Sequence, residues 1–248
     1  MTIPKIIHQT FSNTPLPAAL RENIARLKAL NPAWEYRFYD DDDMSRFIVA
    51  NYDSRILDCF NRLNPEYGAA RADLFRYLLM YKFGGVYLDI KSSLHISLDT
   101  VLRADDHYLL SYWQNGRGEA FEGWTLNFPE LRHIARGEFM QWHIVAAPEH
   151  PFLKAVIDAV LKNIECYQHG VHGVGKMGVV RVTGPIAYTL AIEPLLKHHP
   201  HRFVDSYADL GFEYNIFRRS GNPKLHHALF KKHYSELTAP IVKTQPSN

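Results

Sequence analysis

An aspartate at the end of a short apolar run is the leading candidate in this chain for ligand binding or catalysis. The run GGVYLDIKSS covers residues 84–93, and Asp89 ends its apolar part. Asp73 and Arg76 precede it, three residues apart, so both side chains can leave a helix in the same direction. A carboxylate and a guanidinium together offer the acceptors and donors that sugar hydroxyls need. The pattern indicates a carbohydrate clamp, with a local Asp73–Arg76 ion pair as the alternative.

The elements that would position these residues alternate between strands and helices. Apolar periodicity predicts strands at 3–11, 34–40, 86–90, 107–113, 141–147 and 201–207, and helices at 17–30, 43–83, 151–164 and 183–197. Gly84 and Gly85 suit the end of the helix that carries Asp73. Open α/β sheets bind ligands at the carboxyl ends of strands, where Asp89 would lie. We therefore expect one α/β domain over 1–248, with its core at about 3–240.

Two faces of the helix before Gly84 carry side chains that need partners. Leu74 and Leu78 share one arc, while Asp73, Arg76 and Tyr77 share the opposite one. The helix should therefore be covered on both faces. Upstream, the acidic run Asp40 to Asp43 could bind a metal, but capping of the helix that follows is the commoner use of such residues.

Composition excludes several classes of function. Hydrophobic residues make up 46% of the 248 residues and charged residues 22%, as in ordinary globular proteins. A net charge of +2 without a Lys/Arg cluster gives no expectation of a nucleic-acid partner. No apolar leader and no apolar window of about 18 residues occur, so we expect a cytoplasmic location.

Aromatic residues and one glycine-rich stretch add candidates for substrate contact. Trp113, Trp124 and Trp142 could stack on an acceptor sugar, with His143 beside the last of them, although core packing is the ordinary use of tryptophan. GVHGVGKM at 170–177 approaches a phosphate-binding loop, but Met177 stands where a hydroxyl residue should meet Mg²⁺. We expect a flexible loop or lid there, and an irregular substrate loop at 113–138.

Five stretches of the chain resemble a known family. They are IPKIIHQTF at 3–11, NPAWEYRFYDDDD at 31–43, ARADLFRYLLMYKFGGVYLDI at 70–90, HIVAAPEHPFLKAV at 143–156 and VTGPIAYTL at 182–190. Together they resemble the DXD-containing sugar transferases of glycosyltransferase family 32, which include initiating mannosyltransferases and bacterial capsule and O-antigen transferases. The resemblance implies a GT-A fold, in which a Rossmann-like, nucleotide-binding mixed sheet is flanked by helices.

The resemblance also implies an activity and a place in the cell. Such proteins are retaining transferases that move a hexose from a nucleotide-sugar donor to a hydroxyl of a glycan or glycolipid. We therefore expect a role in polysaccharide biosynthesis, with the cytoplasmic location expected above from the lack of an apolar leader. Peripheral association with the inner face of the membrane is expected if the acceptor is lipid-linked.

The resemblance carries roles onto particular positions of this sequence. It implies catalytic roles for Asp73, Arg76, Asp89 and Lys91, and donor-binding roles for His8, Gln9, Thr10, Tyr87, Asp89, His233 and Ser235. Aromatic stacking adds the acceptor-binding candidates Trp113, Trp142 and His143. If a divalent cation binds, its ligands would be Asp89 and His233.

Lys91 is a departure from the family pattern, because it replaces the last acid of DXD. That acid normally binds Mn²⁺ or Mg²⁺, whereas an ammonium about 4 Å away would repel the cation by roughly 1–4 kcal/mol. The ammonium can itself neutralise the departing diphosphate. We expect a metal-independent site in which Lys91 acts with Arg71, Lys232 or His233. The alternatives are a degenerate sugar-nucleotide or glycan-binding scaffold with Lys91 in solvent, and a nucleotide-sugar hydrolase.

Overall fold

A mixed β-sheet separates two hydrophobic layers of the molecule. The computed structural model describes residues 2–11, 15–218 and 234–243. Within them, the sheet has the strand order β2-β1-β3-β6-β5-β7, and β4 pairs with β8 in a separate ribbon. The strands are β1 (Ile6–Thr10), β2 (Glu35–Tyr39), β3 (Gly85–Leu88), β4 (Ser93–Leu94), β5 (Tyr108–Leu110), β6 (His143–Ala146), β7 (Arg202–Phe203) and β8 (Phe212–Glu213).

Helices surround this sheet, and short 3₁₀ turns occur at 129–131, 193–195, 216–218 and 234–236. The helices of the described chain are α1 (Ala18–Leu30), α2 (Asp41–Asn51), α3 (Ser54–Arg62), α4 (Gly68–Phe83), α5 (Leu98–Val101), α6 (Pro151–Glu165), α7 (His169–His172), α8 (Gly175–Val182) and α9 (Pro185–Ile192). Among the described residues, no helix has the length and apolarity needed to cross a bilayer. The α/β class is confirmed, and the extent of the single domain stays a prediction.

Strand directions gather three chain segments at one edge of the sheet. β1 and β3 run parallel, so their carboxyl ends lie side by side, whereas β6 runs antiparallel to β3 and brings its amino end to the same edge. The amide of Asp89, just after β3, donates to the carbonyl of Trp142, just before β6, at 2.8 Å. This edge is where the candidate site forms.

Alternation along the strands divides the core into its two layers. In β3, Tyr87 packs in the layer that contains α4 and α6. Val86 and Leu88 pack on the other side of the sheet, in the layer that contains Leu27 of α1. The sheet therefore has helices and apolar side chains on both of its faces.

The prediction that α4 is covered on both faces is confirmed. Leu74 and Tyr77, which lie on its two opposite arcs, are both fully buried. Asp73 and Arg76 are buried as well, at 3% and 5% exposure. α4 is therefore a central helix that carries two charged side chains into the interior.

The acidic run at 40–43 caps α2, as predicted. Asp40 Oδ1 accepts from the amide of Asp43 at 2.8 Å, and Asp43 Oδ2 accepts from the amide of Asp40 at 3.1 Å. The reciprocal pair satisfies two amides that the first helical turn leaves free.

The expectation of a flexible loop at 170–177 is wrong. α7 and α8 occupy this segment, with Gly173 at φ 81° ending α7 and Gly175 at φ 58° as the first residue of α8. The glycines provide a sharp reversal between two helices, and Gly178 allows the helix to approach Ile241 closely.

Several predicted elements are shorter than expected. The helical pattern at 43–83 breaks into α2, α3 and α4, and the strand expected at 201–207 is reduced to β7. Local periodicity did not reveal these interruptions, since the turn residues at 52–53 and 63–67 are not all typical helix breakers.

Substitution of Gly85 should test how tightly β3 is held against β1. Gly85 has φ 99°, and an added Cβ would lie 2.5 Å from the Ile6 carbonyl oxygen. We expect Gly85→Ala to lower the free energy of unfolding by at least about 2 kcal/mol, because backbone strain and steric overlap add. Gly170→Ala, with open space at its Cβ, is the control and should change it by less than about 1 kcal/mol. Equal urea midpoints for the two variants would contradict this account.

Candidate active site

A cavity of about 850 Å³ opens at the edge where β1, β3 and β6 meet. Its size is in the usual range of small-molecule sites, which is roughly 300–1,000 Å³. The cavity brings together these residues that the sequence nominated: Thr10, Asp73, Arg76, Tyr87, Asp89, Lys91, Trp113, Trp124, Trp142 and Ser235. Their roles in binding or catalysis stay predictions, but their common location is a feature of the fold.

The Arg76 guanidinium joins α4 to the end of β3. It lies 3.3 Å from Asp73 Oδ1 and 3.0 Å from Asp89 Oδ1, and it donates to the Gln141 carbonyl at 2.9 Å. Its Cζ also lies 4.7 Å from the centre of the Tyr87 ring. Burial works to lower the pKa of Arg76, but Tyr87 and the two carboxylates outweigh it and raise the pKa. Arg76 therefore stays charged and fixes both acids.

Asp73 is enclosed by hydrogen bonds from distant parts of the chain. Thr183 Oγ1 donates to its Oδ2 at 3.0 Å, and Gln141 Nε2 donates to its Oδ1 at 3.2 Å. Burial raises the pKa of Asp73 to about 6, against the opposing effect of Arg76 and these two donors. The local ion pair with Arg76 thus exists, and it is also part of a larger network at the cavity.

Gln141 and Thr183 are residues that the sequence reasoning missed. The Tyr77 hydroxyl lies 2.9 Å from both Gln141 Oε1 and the Thr183 carbonyl, so both are tied to α4. The sequence contained one indication of Gln141: like Asp89, it is a polar residue close to the end of an apolar strand. Thr183 follows the end of α8 and gave no comparable signal.

Lys91 is half-buried beside the aromatic wall of the cavity. Its Nζ donates to the Tyr214 hydroxyl at 3.1 Å and lies 4.4 Å from the centre of that ring. Burial acts to lower the pKa of Lys91, but Tyr214 and the Asp89 carboxylate outweigh burial and raise it. The ammonium is therefore held at the cavity as a cation, and it is not turned away into solvent.

The three predicted donor-binding residues of β1 have different surroundings. Thr10 lines the cavity and donates through its hydroxyl to the Tyr39 carbonyl at 2.8 Å. Gln9 is buried and donates to the Asp89 carbonyl at 3.1 Å, so it positions the backbone of the site. His8 does not line the cavity: its ring bonds to the Gly84 carbonyl and the Tyr39 hydroxyl, and burial lowers its pKa to about 4. It packs the turn before β3 against β1 and β2.

The predicted acceptor residues also separate into two groups. Trp113 and Trp142 line the cavity, and each ring contacts Tyr214, with centroids 5.2 and 5.4 Å apart. His143, in β6, does not line the cavity, and its ring contacts Trp142 and Phe212 with centroids 4.5 and 5.3 Å apart. Burial lowers the pKa of His143 to about 3. His143 is therefore buried against Trp142 and Phe212 and is not among the residues that line the cavity.

Among the cations proposed to help Lys91, Arg71 has a different contact. Its guanidinium lies 4.2 Å from the centre of the Phe60 ring, and it does not line the cavity. Lys232 and His233 lie outside the described residues. Two further charged residues line the cavity and were missed by the sequence reasoning. They are Lys176, in the segment that was expected to be a loop, and the acid Glu138.

Among the described residues, which exclude the predicted ligand His233, the donor set around Asp89 does not fit a divalent cation. Asp89 Oδ1 is paired with Arg76, and Lys91 adds a second positive charge nearby. Within residues 2–11, 15–218 and 234–243, no three His, Cys, Asp or Glu side chains form a group that could hold a metal ion. Mn²⁺ and Mg²⁺ prefer several oxygen ligands without a neighbouring ammonium.

Comparison with known proteins connects this site to a family. Residues 17–108 match the family described as "Glycosyltransferase sugar-binding region containing DXD motif". Inositol phosphoceramide mannosyltransferase 3 of Schizosaccharomyces pombe is 35% identical over 100 residues, which are 40% of this chain and 27% of that protein. Uncharacterized glycosyltransferase L373 of Acanthamoeba polyphaga mimivirus is 29% identical over 200 residues, covering 80% of this chain and 68% of the relative.

The solved structure of "PaToxG Glycosyltransferase" has the same fold. Its TM-score is 0.56 at 14% identity, with 79% of this chain and 71% of that chain covered. The GT-A expectation is confirmed. Residues 17–108 match the sugar-binding region of the DXD-containing glycosyltransferases, so the resemblance of the sequence to that family is confirmed. The alignment with the S. pombe relative spans only about a quarter of that relative's length.

Removal of the Arg76 charge should lower the free energy of unfolding far more than removal of an exposed arginine that is paired with an aspartate at the same spacing. Arg76–Asp73 and Arg46–Asp43 are both three residues apart, but the side chains of the first pair are 6% and 4% exposed and those of the second 68% and 36%. Arg76→Met leaves carboxylates without their cation, so we expect a loss of about 3–5 kcal/mol in the free energy of unfolding. Arg46→Met should cost at most about 1 kcal/mol.

The pH dependence gives this prediction a second readout. The folded-state pKa of Asp73 is already raised to about 6, and removal of Arg76 would raise it further. Protonation of Asp73 relieves the unpaired charge, so the loss in Arg76→Met should be smaller at pH 5 than at pH 8. Equal losses for both arginine variants in chemical denaturation, or a loss that grows on acidification, would contradict the network described here.

Proposed function

We propose that this protein is a glycosyltransferase that moves a hexose from a nucleotide-sugar donor to a hydroxyl of a glycan or glycolipid. The observation that carries the proposal is the Asp73–Arg76–Asp89 network at the cavity, within the segment that matches the glycosyltransferase sugar-binding region. The GT-A sheet supports it, because this edge of an open α/β sheet is where ligands bind.

Within this network the two acids have different parts. The side chain of Asp73 is 4% exposed and that of Asp89 is 24% exposed. Asp89 is therefore the carboxylate that can accept hydrogen bonds from hydroxyls of the donor. Asp73 acts through Arg76 and Gln141, which it orients, so it is a positioning residue.

Lys91 supplies the positive charge that the leaving diphosphate requires. Cleavage of the glycosidic bond places negative charge on the diphosphate, and a fixed cation nearby lowers the barrier. Tyr214 holds the Lys91 ammonium at the same cavity as Asp89. This arrangement supports metal-independent transfer, with Lys176 as a second cation at the cavity.

The acceptor and the stereochemistry are finer parts of the proposal. The S. pombe relative is a mannosyltransferase whose name specifies inositol phosphoceramide, so we propose a hydroxyl of a lipid-linked or free glycan as acceptor here. Retention at the anomeric carbon follows from the family resemblance, and NMR of the product anomer would test it. A role in capsule or O-antigen synthesis, a cytoplasmic location and peripheral membrane contact stay predictions.

A donor panel tests the activity directly. The protein is incubated with UDP- and GDP-activated hexoses, mannose included, with candidate glycan and glycolipid acceptors, and free nucleotide and glycosylated product are measured. Nucleotide release with product identifies a transferase, whereas release into water alone identifies a hydrolase. Binding of a donor without any release would favour the scaffold alternative, which the replacement of the DXD acid by Lys91 motivates.

Substitution of Lys91 should separate an ammonium-based from a metal-based mechanism. We expect wild-type turnover to survive EDTA, and Lys91→Met to lower kcat about 100-fold because the charge beside the leaving group is lost. Lys91→Asp should make turnover depend on Mn²⁺ or abolish it. Lys82→Met, an exposed lysine of α4, is the control and should retain wild-type kcat. Wild-type activity that EDTA abolishes, or unchanged metal-free activity in Lys91→Asp, would refute the role of Lys91.

A further inference from the structure

Two buried polar atoms in the aromatic wall of the cavity have no hydrogen-bond partner within the described part of the chain. They are Oε2 of Glu138 and Nε1 of Trp142, whose residues are 5% and 4% exposed. Both residues line the cavity. One atom is an acceptor and the other is a donor, and leaving such groups unpaired has a free-energy cost.

Glu138 is held firmly in this position. Trp113 Nε1 donates to its Oε1 at 2.8 Å. The backbone on its carboxyl side is fixed as well, since the amide of Phe139 donates to Thr189 Oγ1 at 2.9 Å and that of Met140 to the Ser111 carbonyl at 2.8 Å. The unpaired Oε2 is therefore part of a built wall, and not the end of a loosely placed side chain.

The chemistry of this wall suits a neutral carbohydrate. A hydroxyl group donates one hydrogen bond and accepts others, so it can satisfy both a carboxylate oxygen and an indole N–H. Trp113, Trp142 and Tyr214 add aromatic surface on which the apolar face of a sugar ring can lie. No salt bridge pairs Glu138 with a cation among the described residues, so its carboxylate would repel a diphosphate.

We propose that Glu138 and Trp142 bind a hydroxyl of the acceptor sugar, with Glu138 Oε2 accepting from it and Trp142 Nε1 donating to it. The inference rests on the proposed transferase function and assigns the acceptor subsite of that cavity. In this assignment the donor diphosphate binds at Lys91. The Tyr214 ring contacts Lys91 as well as Trp113 and Trp142, so it lies next to both substrates.

Protonation should control this subsite near neutral pH. Burial raises the pKa of Glu138 to about 7, opposed by the hydrogen bond from Trp113 and by Lys176 of α8, which is the charged group facing it in the described chain. The protonated acid loses an acceptor site, so acceptor binding should strengthen as pH rises through about 7. Glu138→Gln has no such titration and should give a flat profile.

Kinetics of Glu138→Gln and Trp142→Phe test the assignment. Loss of a hydrogen bond to a charged group corresponds to roughly 10- to 100-fold in affinity. We expect Glu138→Gln to raise the acceptor KM by about that factor, while the donor KM changes by less than about threefold. Trp142→Phe should raise the acceptor KM as well, and the double variant should show less than the product of the two effects, because both groups bind one hydroxyl.

Glu22→Gln is the matched control, since Glu22 is exposed on α1 and does not line the cavity. It should retain the acceptor KM and its pH profile. Thermal unfolding of each variant checks the fold. An unchanged acceptor KM in Glu138→Gln, or a wild-type pH profile in that variant, would overturn the subsite even if the protein transfers sugar.

A binding measurement distinguishes failure of the subsite from failure of the proposed function. Methyl hexopyranosides are titrated into the wild type and Glu138→Gln, with tryptophan fluorescence and saturation-transfer NMR as readouts. Weaker binding to the variant, by about tenfold or more, supports the subsite whether or not any donor is turned over. Equal affinity for both proteins, or no binding of any glycoside to the wild type, would refute it.

Discussion

The contact between the Arg76 guanidinium and the carboxylates of Asp73 and Asp89 determines how the other parts of the site are arranged. A guanidinium this deeply buried has lost most of its hydration, and it is retained only because acids and carbonyls surround it. The same contact fixes α4 relative to the end of β3. Neighbouring walls of the cavity are built around that junction: the segment before β6 supplies Gln141, and the turn after α8 supplies Thr183.

Arg76 is held by this structural task, so the proposal assigns the diphosphate to other cations of the cavity. Lys91 and Lys176 are the cavity lysines among the described residues. Lys91 in particular donates to Tyr214, and the attraction of Tyr214 and Asp89 raises its pKa despite its burial. Lys91 thus places a positive charge where the DXD motif has its second acid, which is the basis of the proposed metal-independent transfer, while the fold is that of a GT-A glycosyltransferase.

Unpaired polar atoms distinguish the surroundings of Glu138 and Trp142 from those of Asp73. Around Asp73 each carboxylate oxygen has a partner, as expected of groups that maintain structure. In the described chain, by contrast, Oε2 of Glu138 has no hydrogen-bond partner, and neither does Nε1 of Trp142. Such groups lower stability in the free protein and gain their partners when a ligand binds, which is the usual balance between stability and function at a binding site.

Local periodicity and spacing were enough to predict the α/β class, the buried helix with Asp73 and Arg76, the glycine turn before β3, the capping of α2 and the position of Asp89. They did not reveal the helices at 169–182, since glycines there resemble a loop. Long-range packing was needed to bring Gln141, Glu138 and Lys176 to the cavity of Asp89 and Thr183 to Asp73. It also buries His143 against Trp142 and Phe212, outside the cavity lining. These placements depend on the antiparallel register of β6 with β3 and on helix packing, which join residues far apart in the chain by contacts that no local pattern encodes.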